Sequence, residues 1–225
     1  MGIVFVKPIN CNKRKILIFS ADDRKDDFIN FHNKNIKQYC DNHDYAYIFH
    51  GKNYEGIPIY WSKLLYCRDH LYSKNNYEFV MWMDTDANII NNDIKISELL
   101  CKYDLDNKYH IFIGTDIGTT IHNAGLFIIR NSDIGREFID QCIHELKTEC
   151  KNDKGYDLGK QWAGICYEQG RMNKLINNEY FEYTVHIPSH IFKNTYFCDK
   201  DTFILHKYGP KTDIMNCFNS SAQHF

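Results

Sequence analysis

The 225-residue sequence has few of the features that divide a chain into domains or attach it to a charged partner. It contains only 4 prolines and 12 glycines, and no segment rich in proline, glycine and serine forms a linker, so we expect one domain over residues 1–225. The formal net charge of −2 argues against a general nucleic-acid or anionic-membrane binder, because such proteins need a basic surface. Any bound phosphate must therefore be held locally.

Long apolar runs are also missing. No stretch approaches the ~18 apolar residues of a membrane helix. The apolar run at the start, Ile3–Val6, is too short for a signal peptide. We therefore expect a soluble, cytoplasmic protein, in the host cytoplasm if the gene is viral.

The nine cysteines are an odd number, and no two of them form a Cys-x-x-Cys pair. This pattern favours reduced thiols that pack as small hydrophobic side chains over a disulfide framework or a zinc site.

Apolar runs alternate with amphipathic segments in the first part of the chain. Strands are predicted at 15–20, 45–49 and 79–83, and helices at 28–40 and 61–72. This order indicates an α/β fold with a largely parallel sheet, in which ligands bind beyond the carboxyl ends of the strands. Ser20–Asp23 and Asp84–Asp86 both follow such ends and are predicted to face one crevice.

The second half is less regular. Strands are predicted at 111–114 and 126–129, around a loop that contains Asp116 and Asn123. Residues 131–133 provide N-cap chemistry for a helix to about residue 150, and a polar loop at 151–157 precedes a helix at 161–176. A last strand, 202–205, delivers His206.

Two carboxylates, Asp84 and Asp86, follow the apolar strand at 79–83 directly. Carboxylates one residue apart at the mouth of a buried strand can share a hard divalent cation that also binds phosphate oxygens. The same Asp-x-Asp spacing occurs at 104–106 and 199–201 in polar surroundings, so the preceding strand, and not the motif, carries the prediction. The alternative is a carboxylate pair that caps a turn.

Further motifs follow in a fixed order along the chain. They are Trp61-Ser62-Lys63, Trp82–Ala87, Asn123–Asn131, Glu168-Gln169, His206 and Gly209-Pro210-Lys211. Over about residues 15–211 this set resembles GT-A fold glycosyltransferases. The closest resemblance is to family 34, the galactosyl-, mannosyl- and xylosyltransferases, and a looser one is to family 8.

The resemblance implies a single GT-A domain with a mainly parallel central sheet. It also implies Mn²⁺ or Mg²⁺ bound by Asp84, Asp86 and His206, and a nucleotide-sugar donor, most often a UDP-sugar. The reaction is the transfer of a hexose or pentose to a glycan or other hydroxyl acceptor, with retention of anomeric configuration. Since secretory relatives carry a membrane anchor, the chain is expected to be a cytosolic enzyme or one domain of a longer protein, beside other glycosyltransferase domains.

The resemblance also assigns roles to other residues. The base and ribose contact Ser20, Ala21 and Asp22, and the donor-binding residues further comprise Lys63, Thr85, Gly209 and Lys211. The transferred sugar contacts Asn123, Ala124, Gly125, Glu168 and Gln169. Family members usually have Asp-Gln where this chain has Glu168-Gln169, which puts the choice of donor sugar in question.

Alternatives remain for several of these assignments. An inverting enzyme needs a carboxylate base, for which Asp116 and Glu168 are candidates. Trp61, Trp82 and Trp162 are expected in the core and not as sugar platforms. A non-catalytic sugar- or nucleotide-binding module has the same motifs, whereas a haloacid-dehalogenase-type phosphotransferase needs a later Gly-Asp-x-x-x-Asp that the sequence lacks.

Overall fold

The computed structural model describes residues 14–104, 106–116, 118–189, 191–194 and 202–206. The predictions for Gly209 and Lys211, and the Asp-x-Asp motif at 199–201, lie outside the described residues.

Strands and helices alternate through the first half of the chain. The strands are β1 (Ile16–Ala21), β2 (Ala46–His50), β3 (Phe79–Met83), β4 (Ala87–Ile89), β5 (Ile111–Thr115), β6 (His122–Arg130), β7 (Lys151–Asn152), β8 (Gly155–Tyr156), β9 (Thr184–Ile187), β10 (Phe192–Asn194) and β11 (Ile204–His206). The α-helices are α1 (Asp27–His43), α2 (Ser62–Leu71), α3 (Ile96–Tyr103), α4 (Asp133–Glu149) and α5 (Glu168–Leu175). Short 3₁₀ helices cover Ile59–Trp61 and Phe181–Tyr183, and a π-helix covers Ile176–Tyr180.

Six strands form the central sheet, in the order β2-β1-β3-β6-β5-β9. The pairs β1–β2, β1–β3 and β5–β9 are parallel, and β6 runs antiparallel to both of its neighbours. The sheet is therefore mainly parallel, as predicted. Because β6 is reversed, its first residues lie beside the carboxyl end of β3.

Both faces of this sheet are covered. Along β1, Leu17 and Phe19 join one hydrophobic cluster with residues of α2, α4 and α5, while Ile16 and Ile18 join a second cluster with residues of α1 and α3. Alternate side chains of a strand point to opposite faces, so burial on both sides explains the continuous apolar runs in the sequence. The α/β prediction is confirmed.

A smaller sheet has the order β10-β11-β4. Strand β11 runs antiparallel to β4, and His206 pairs with Ala87. The last described residue of the chain is thereby held beside the residue that follows Asp86.

Several local predictions need correction. The helix predicted at 161–176 begins only at Glu168, because Ala163 has a positive φ of 54°, which a helix does not allow. Residues 151–156 form the hairpin of β7 and β8 and not a loop. The turn predicted at Asn123–Gly125 is part of β6. The N-cap prediction is confirmed, since the Ser132 hydroxyl accepts a hydrogen bond from the Gly135 N–H.

The prediction of reduced thiols is wrong for three cysteines. Cys150 and Cys166 form a disulfide with a Cα–Cα distance of 5.6 Å, and Cys101 is disulfide-bonded as well. Sequence spacing did not reveal the pair, because the two cysteines are 16 positions apart and a hairpin between them returns the chain to the end of α4. Cys40, Cys67 and Cys142 are buried free thiols, as predicted.

None of the described helices combines the length and apolar character that crossing a membrane requires.

Candidate active site

The two aspartates lie on a tight turn between β3 and β4. The Ala87 N–H donates to the Asp84 carbonyl at 2.9 Å, which closes the turn, and the Asp84 N–H donates to the Gly125 carbonyl of β6 at 2.8 Å. A hydrogen bond from residue i+3 back to residue i is typical of a β-turn. Here the turn brings both carboxylates to the carboxyl end of the central sheet.

His206 comes to the same place from the small sheet. Its Nε2 lies 3.0 Å from Asp86 Oδ1 and 3.9 Å from Asp84 Oδ2. One ligand atom from each of these three residues lies within 4.8 Å of the others. Burial alone lowers the pKa of His206, but the close contact of its ring with the Asp86 carboxylate raises the pKa overall. The sequence prediction that these residues come together is confirmed.

The two oxygens of Asp84 have different surroundings. Oδ1 accepts hydrogen bonds from Trp82 Nε1 at 2.6 Å and from Lys63 Nζ at 2.9 Å, whereas Oδ2 is the oxygen nearer to His206. Hydrogen bonds of this kind fix the orientation of a metal-binding carboxylate. Asp84 is thus held with one oxygen directed to the cluster.

Lys63 has contacts that the sequence did not predict. Its Nζ contacts Asp84 Oδ1 at 2.9 Å, Glu168 Oε1 at 3.1 Å and the Ala124 carbonyl at 3.2 Å. A lysine ammonium has three N–H donors, and these contacts use all of them, so Lys63 orients Asp84 in this structure. Its contact with a diphosphate stays a prediction. Although burial alone lowers the pKa of Lys63, the charges of Asp84 and Glu168 raise it above its ordinary value.

Glu168 is buried behind Lys63, and its Oε2 has no hydrogen-bond partner. Burial raises the pKa of this carboxyl, and Asp84 adds to the effect while Lys63 opposes it. A buried carboxylate that is ion-paired to lysine is poorly placed to accept a proton from a substrate hydroxyl.

On the other side of the turn, Asp22 and Arg24 form a second ion pair. Arg24 Nε and Nη2 donate to the two carboxylate oxygens of Asp22 at 2.9 and 2.5 Å, and the Thr85 hydroxyl donates to Asp22 Oδ2 at 2.7 Å. Burial alone raises the pKa of Asp22, but the hydrogen bonds from Arg24 and Thr85 lower it overall. The end of β1 is thereby joined to the turn that carries Asp84 and Asp86.

A cavity of about 430 Å³ opens between these groups. Of the residues predicted to bind the donor or the ion, six line it: Ala21, Asp22, Lys63, Asp84, Thr85 and Asp86. It is further lined by residues that sequence reasoning did not select, among them Arg24, Asn53 and Tyr60. Arg24 is half-exposed and is the basic side chain here whose donors are least enclosed. Arg24 could have been predicted as a cavity residue because it lies two positions after Asp22 in the sequence.

The residues predicted to contact the sugar do not line this cavity. Asn123 Nδ2 donates to Asp116 Oδ1 at 2.7 Å, and Asn123 Oδ1 accepts from the Gly125 N–H at 2.8 Å. Gln169 Oε1 accepts from the Ala124 N–H at 3.1 Å. These side chains form a layer beside Lys63 that supports the start of β6, and their contact with a sugar stays a prediction.

Ser20 also differs from expectation. Its hydroxyl is fully buried and hydrogen-bonded to His32 Nε2 at 2.9 Å, so the side chain joins β1 to α1 and does not face the cavity. Ala21 and Asp22, the next two residues, do face it.

The Asp-x-Asp motif at 104–106 has the structural role that its polar surroundings indicated. Asp104 is buried, forms an ion pair with Arg130 and accepts a hydrogen bond from the Tyr109 N–H at 3.0 Å. Among the described residues, the acidic pair that belongs to a group able to hold a metal ion is Asp84 and Asp86.

Comparison with known proteins shows which family and which fold this chain resembles. The model of the galactosyl transferase GMA12/MNN10 family, glycosyltransferase family 34, matches residues 3–111. An α-1,2-galactosyltransferase of Schizosaccharomyces pombe is 23% identical over a region that covers 48% of this chain. That region spans only 37% of the yeast enzyme's length.

Solved structures match over most of the chain. A glycosyltransferase involved in the glycosylation of the major capsid of PBCV-1 has a TM-score of 0.65 at 15% identity, and the match covers 94% of this chain and 100% of that one. The galactosyltransferase LgtC, in complex with donor and acceptor sugar analogs, has a TM-score of 0.51 at 14% identity, with 91% and 95% coverage. The chain therefore has the GT-A fold of these glycosyltransferases and resembles family 34, the galactosyl transferase GMA12/MNN10 family.

Proposed function

We propose that this protein transfers a hexose or pentose from a UDP-sugar to a hydroxyl acceptor, with retention of anomeric configuration and with Mn²⁺ or Mg²⁺ bound by Asp84, Asp86 and His206. The observation that carries the proposal is the convergence of these side chains within 4.8 Å beside the cavity. Two carboxylates and an imidazole suit a divalent ion that keeps positions open for phosphate oxygens.

The surroundings of the three side chains fit such an ion. Asp84 Oδ1 is occupied by Trp82 and Lys63, which leaves Oδ2 for coordination, and Asp86 Oδ1 already faces His206 Nε2. A bound divalent ion supplies positive charge that stabilises a departing nucleoside diphosphate. Under this proposal Arg24 provides a second positive charge from the opposite side of the turn.

The transfer itself is a substitution at the anomeric carbon. The acceptor oxygen forms a bond to that carbon, and the bond from the carbon to the diphosphate oxygen breaks with its electron pair remaining on the diphosphate. The hydroxyl proton passes to a diphosphate oxygen. The ion pair between Glu168 and Lys63 supports retention, because it makes Glu168 unsuited to act as the base of an inverting enzyme.

The test measures binding and turnover of the donor. UDP with Mn²⁺ should raise the melting temperature of the wild-type protein, because a ligand that binds only the folded state stabilises it. UDP-glucose, UDP-galactose and UDP-xylose then serve as substrates for Mn²⁺-dependent hydrolysis. Asp86→Asn should abolish both signals.

Asp106→Asn is the matched control, since Asp106 is exposed and belongs to the other Asp-x-Asp motif of the described chain. It should behave as the wild type does. If the wild-type protein binds UDP equally with and without divalent ions, or if Asp86→Asn retains Mn²⁺-dependent hydrolysis, the proposed metal site is wrong. Binding of UDP-sugars without any turnover would instead identify a non-catalytic module.

A further inference from the structure

An aromatic cluster at the surface, which we call the aromatic platform, consists of the exposed Trp162 and the half-buried Tyr60 and Tyr167. The three rings contact each other, with centroid distances of 5.3 Å (Tyr60 to Trp162), 5.1 Å (Tyr60 to Tyr167) and 5.0 Å (Trp162 to Tyr167). Trp162 is 68% exposed, whereas Trp61 and Trp82 are buried as predicted. The expectation that Trp162 lies in the core is therefore wrong.

The platform is held in place by neighbouring groups. Trp61 Nε1 donates to the Cys166 carbonyl at 2.9 Å, which ties the loop before α5 to the start of α2, and the Cys150–Cys166 disulfide ties the same loop to α4. The loop also packs closely on α5, because a Cβ at Gly170 would lie 2.1 Å from the Gly164 carbonyl oxygen. An exposed tryptophan on so constrained a loop is pre-organised for contact with a ligand.

The platform adjoins the proposed active site. Tyr60 lines the same cavity as Asp84 and Asp86, and Lys63 follows three positions later on α2. Tyr167 directly precedes Glu168, the other partner of Lys63. Asp22 and Arg24 line that cavity as well. A ligand on the platform would thus reach the cavity from its Tyr60 side.

The chemistry of the platform suits a carbohydrate. The faces of a pyranose ring carry C–H groups that pack against aromatic rings, and its rim carries hydroxyl groups that need hydrogen-bond partners. Tyrosine offers both an apolar ring and a polar tip. Among the described residues, neither the Tyr60 nor the Tyr167 hydroxyl makes a hydrogen bond, so both phenols are available to a sugar.

We propose that Tyr60, Trp162 and Tyr167 form the acceptor subsite and bind a pyranose ring of a glycan next to the transferred sugar. This inference depends on the proposed function and extends it, because it assigns the acceptor to the carbohydrate class and gives its place. A protein surface that packs on the same rings is the alternative that the test separates.

The test uses the full-length protein and a printed glycan array. The wild type should bind at least one oligosaccharide, Trp162→Ala should bind it at least tenfold more weakly, and Trp162→Phe should recover part of the affinity because it keeps an aromatic face. Phe181→Ala is the matched control, since Phe181 is a 61% exposed aromatic residue outside the platform, and it should bind as the wild type does.

Tryptophan fluorescence gives a second measurement. Since Trp162 is the exposed one of the three tryptophans, the oligosaccharide found on the array should reduce iodide quenching of the wild type and not of Trp162→Phe. The inference is overturned if the wild type binds no glycan, or if Trp162→Ala binds as tightly as the wild type. Mn²⁺-dependent UDP binding by the wild type distinguishes the two proposals. If the wild type binds UDP with Mn²⁺ but gives one of these two results, only the acceptor subsite is rejected. If it does not bind UDP with Mn²⁺, the proposed function is rejected.

Discussion

Gly125 lies directly against His206. A Cβ added to Gly125 would be 2.2 Å from His206 Cε1 and 2.9 Å from its Nδ1, and the histidine is itself fully buried. Real Cβ atoms do not approach other atoms so closely, so the glycine provides the space that the third predicted metal ligand occupies. Gly125 thus supports the proposed metal site by steric means, and its contact with the donor stays a prediction.

Gly125→Ala is therefore expected to weaken Mn²⁺ binding by roughly ten- to a hundredfold, the usual effect of disturbing the support of a metal ligand. Isothermal titration with Mn²⁺ measures the change, and a melting curve without metal shows that the variant is folded. Gly51→Ala is the control, because a Cβ there meets no atom within 4 Å. Equal Mn²⁺ affinity in both variants would show that His206 is not a ligand.

The ion pairs of Lys63 yield a stability prediction. Lys63→Met leaves the carboxylates of Asp84 and Glu168 without their shared cation, and removing one partner of a buried pair costs about 3–5 kcal/mol. The free energy of unfolding in urea tests this. Lys37→Met is the control: it removes an exposed helical pair with Asp41, for which we expect a loss below about 0.5 kcal/mol.

Glu168→Gln added to Lys63→Met should recover part of that loss, because one of the two unpaired buried charges is then removed. If the double variant is no more stable than Lys63→Met, the contact between Lys63 and Glu168 contributes nothing measurable.

The first half of the fold was predictable because burial is encoded locally. Strands buried on both faces, such as β1 and β3, are continuous apolar runs. The end of β3 is recognisable because the carboxylates of Asp84 and Asp86 follow it directly. The position of His206 followed from family resemblance and not from spacing. What sets it is the pairing of β11 with β4, which joins residues more than a hundred positions apart in sequence.

The loop before α5 shows why other features were not predictable. Trp162, Ile165 and Cys166 have a helical spacing, but the positive φ of Ala163 is not helical, and Trp162 faces solvent. Backbone conformation at single residues is not encoded in hydrophobic periodicity. Similarly, the sequence does not show that Lys63 contacts Asp84, Glu168 and the Ala124 carbonyl, because these groups come from distant parts of the chain.

We expect the free energy of unfolding to depend on pH because of His32. Its ring is fully buried between the Ser20 hydroxyl and the Ala87 carbonyl, and burial lowers its pKa from 6.5 to about 4. Between pH 4 and 6.5 the unfolded chain binds a proton that the folded protein excludes, so stability rises with pH in this range. The contribution is complete above pH 6.5 and is lost as the pH falls to 4, by about 3 kcal/mol in total.

The free energy of unfolding, measured between pH 4 and 7, tests this. His32→Asn keeps a donor for the Ala87 carbonyl but does not titrate, so its stability should fall less steeply than that of the wild type. His144→Gln changes an exposed histidine and should leave the slope unaltered. Identical slopes for His32→Asn and the wild type would mean that the pKa of His32 is the same in the folded and the unfolded chain.

The Cys150–Cys166 disulfide gives the last prediction. Under non-reducing conditions a tryptic digest should contain a linked pair of peptides that carry these two cysteines, whereas Cys142, a buried free thiol, should appear unlinked. Closing a loop of this length stabilises a folded protein by about 3 kcal/mol, so the double variant Cys150→Ser, Cys166→Ser should lose roughly that amount in urea unfolding. Because the disulfide holds the loop that carries Trp162, the double variant should also expose this tryptophan further to iodide. A double variant with unchanged stability and quenching would show that Trp61 and Gly170 suffice to hold the loop.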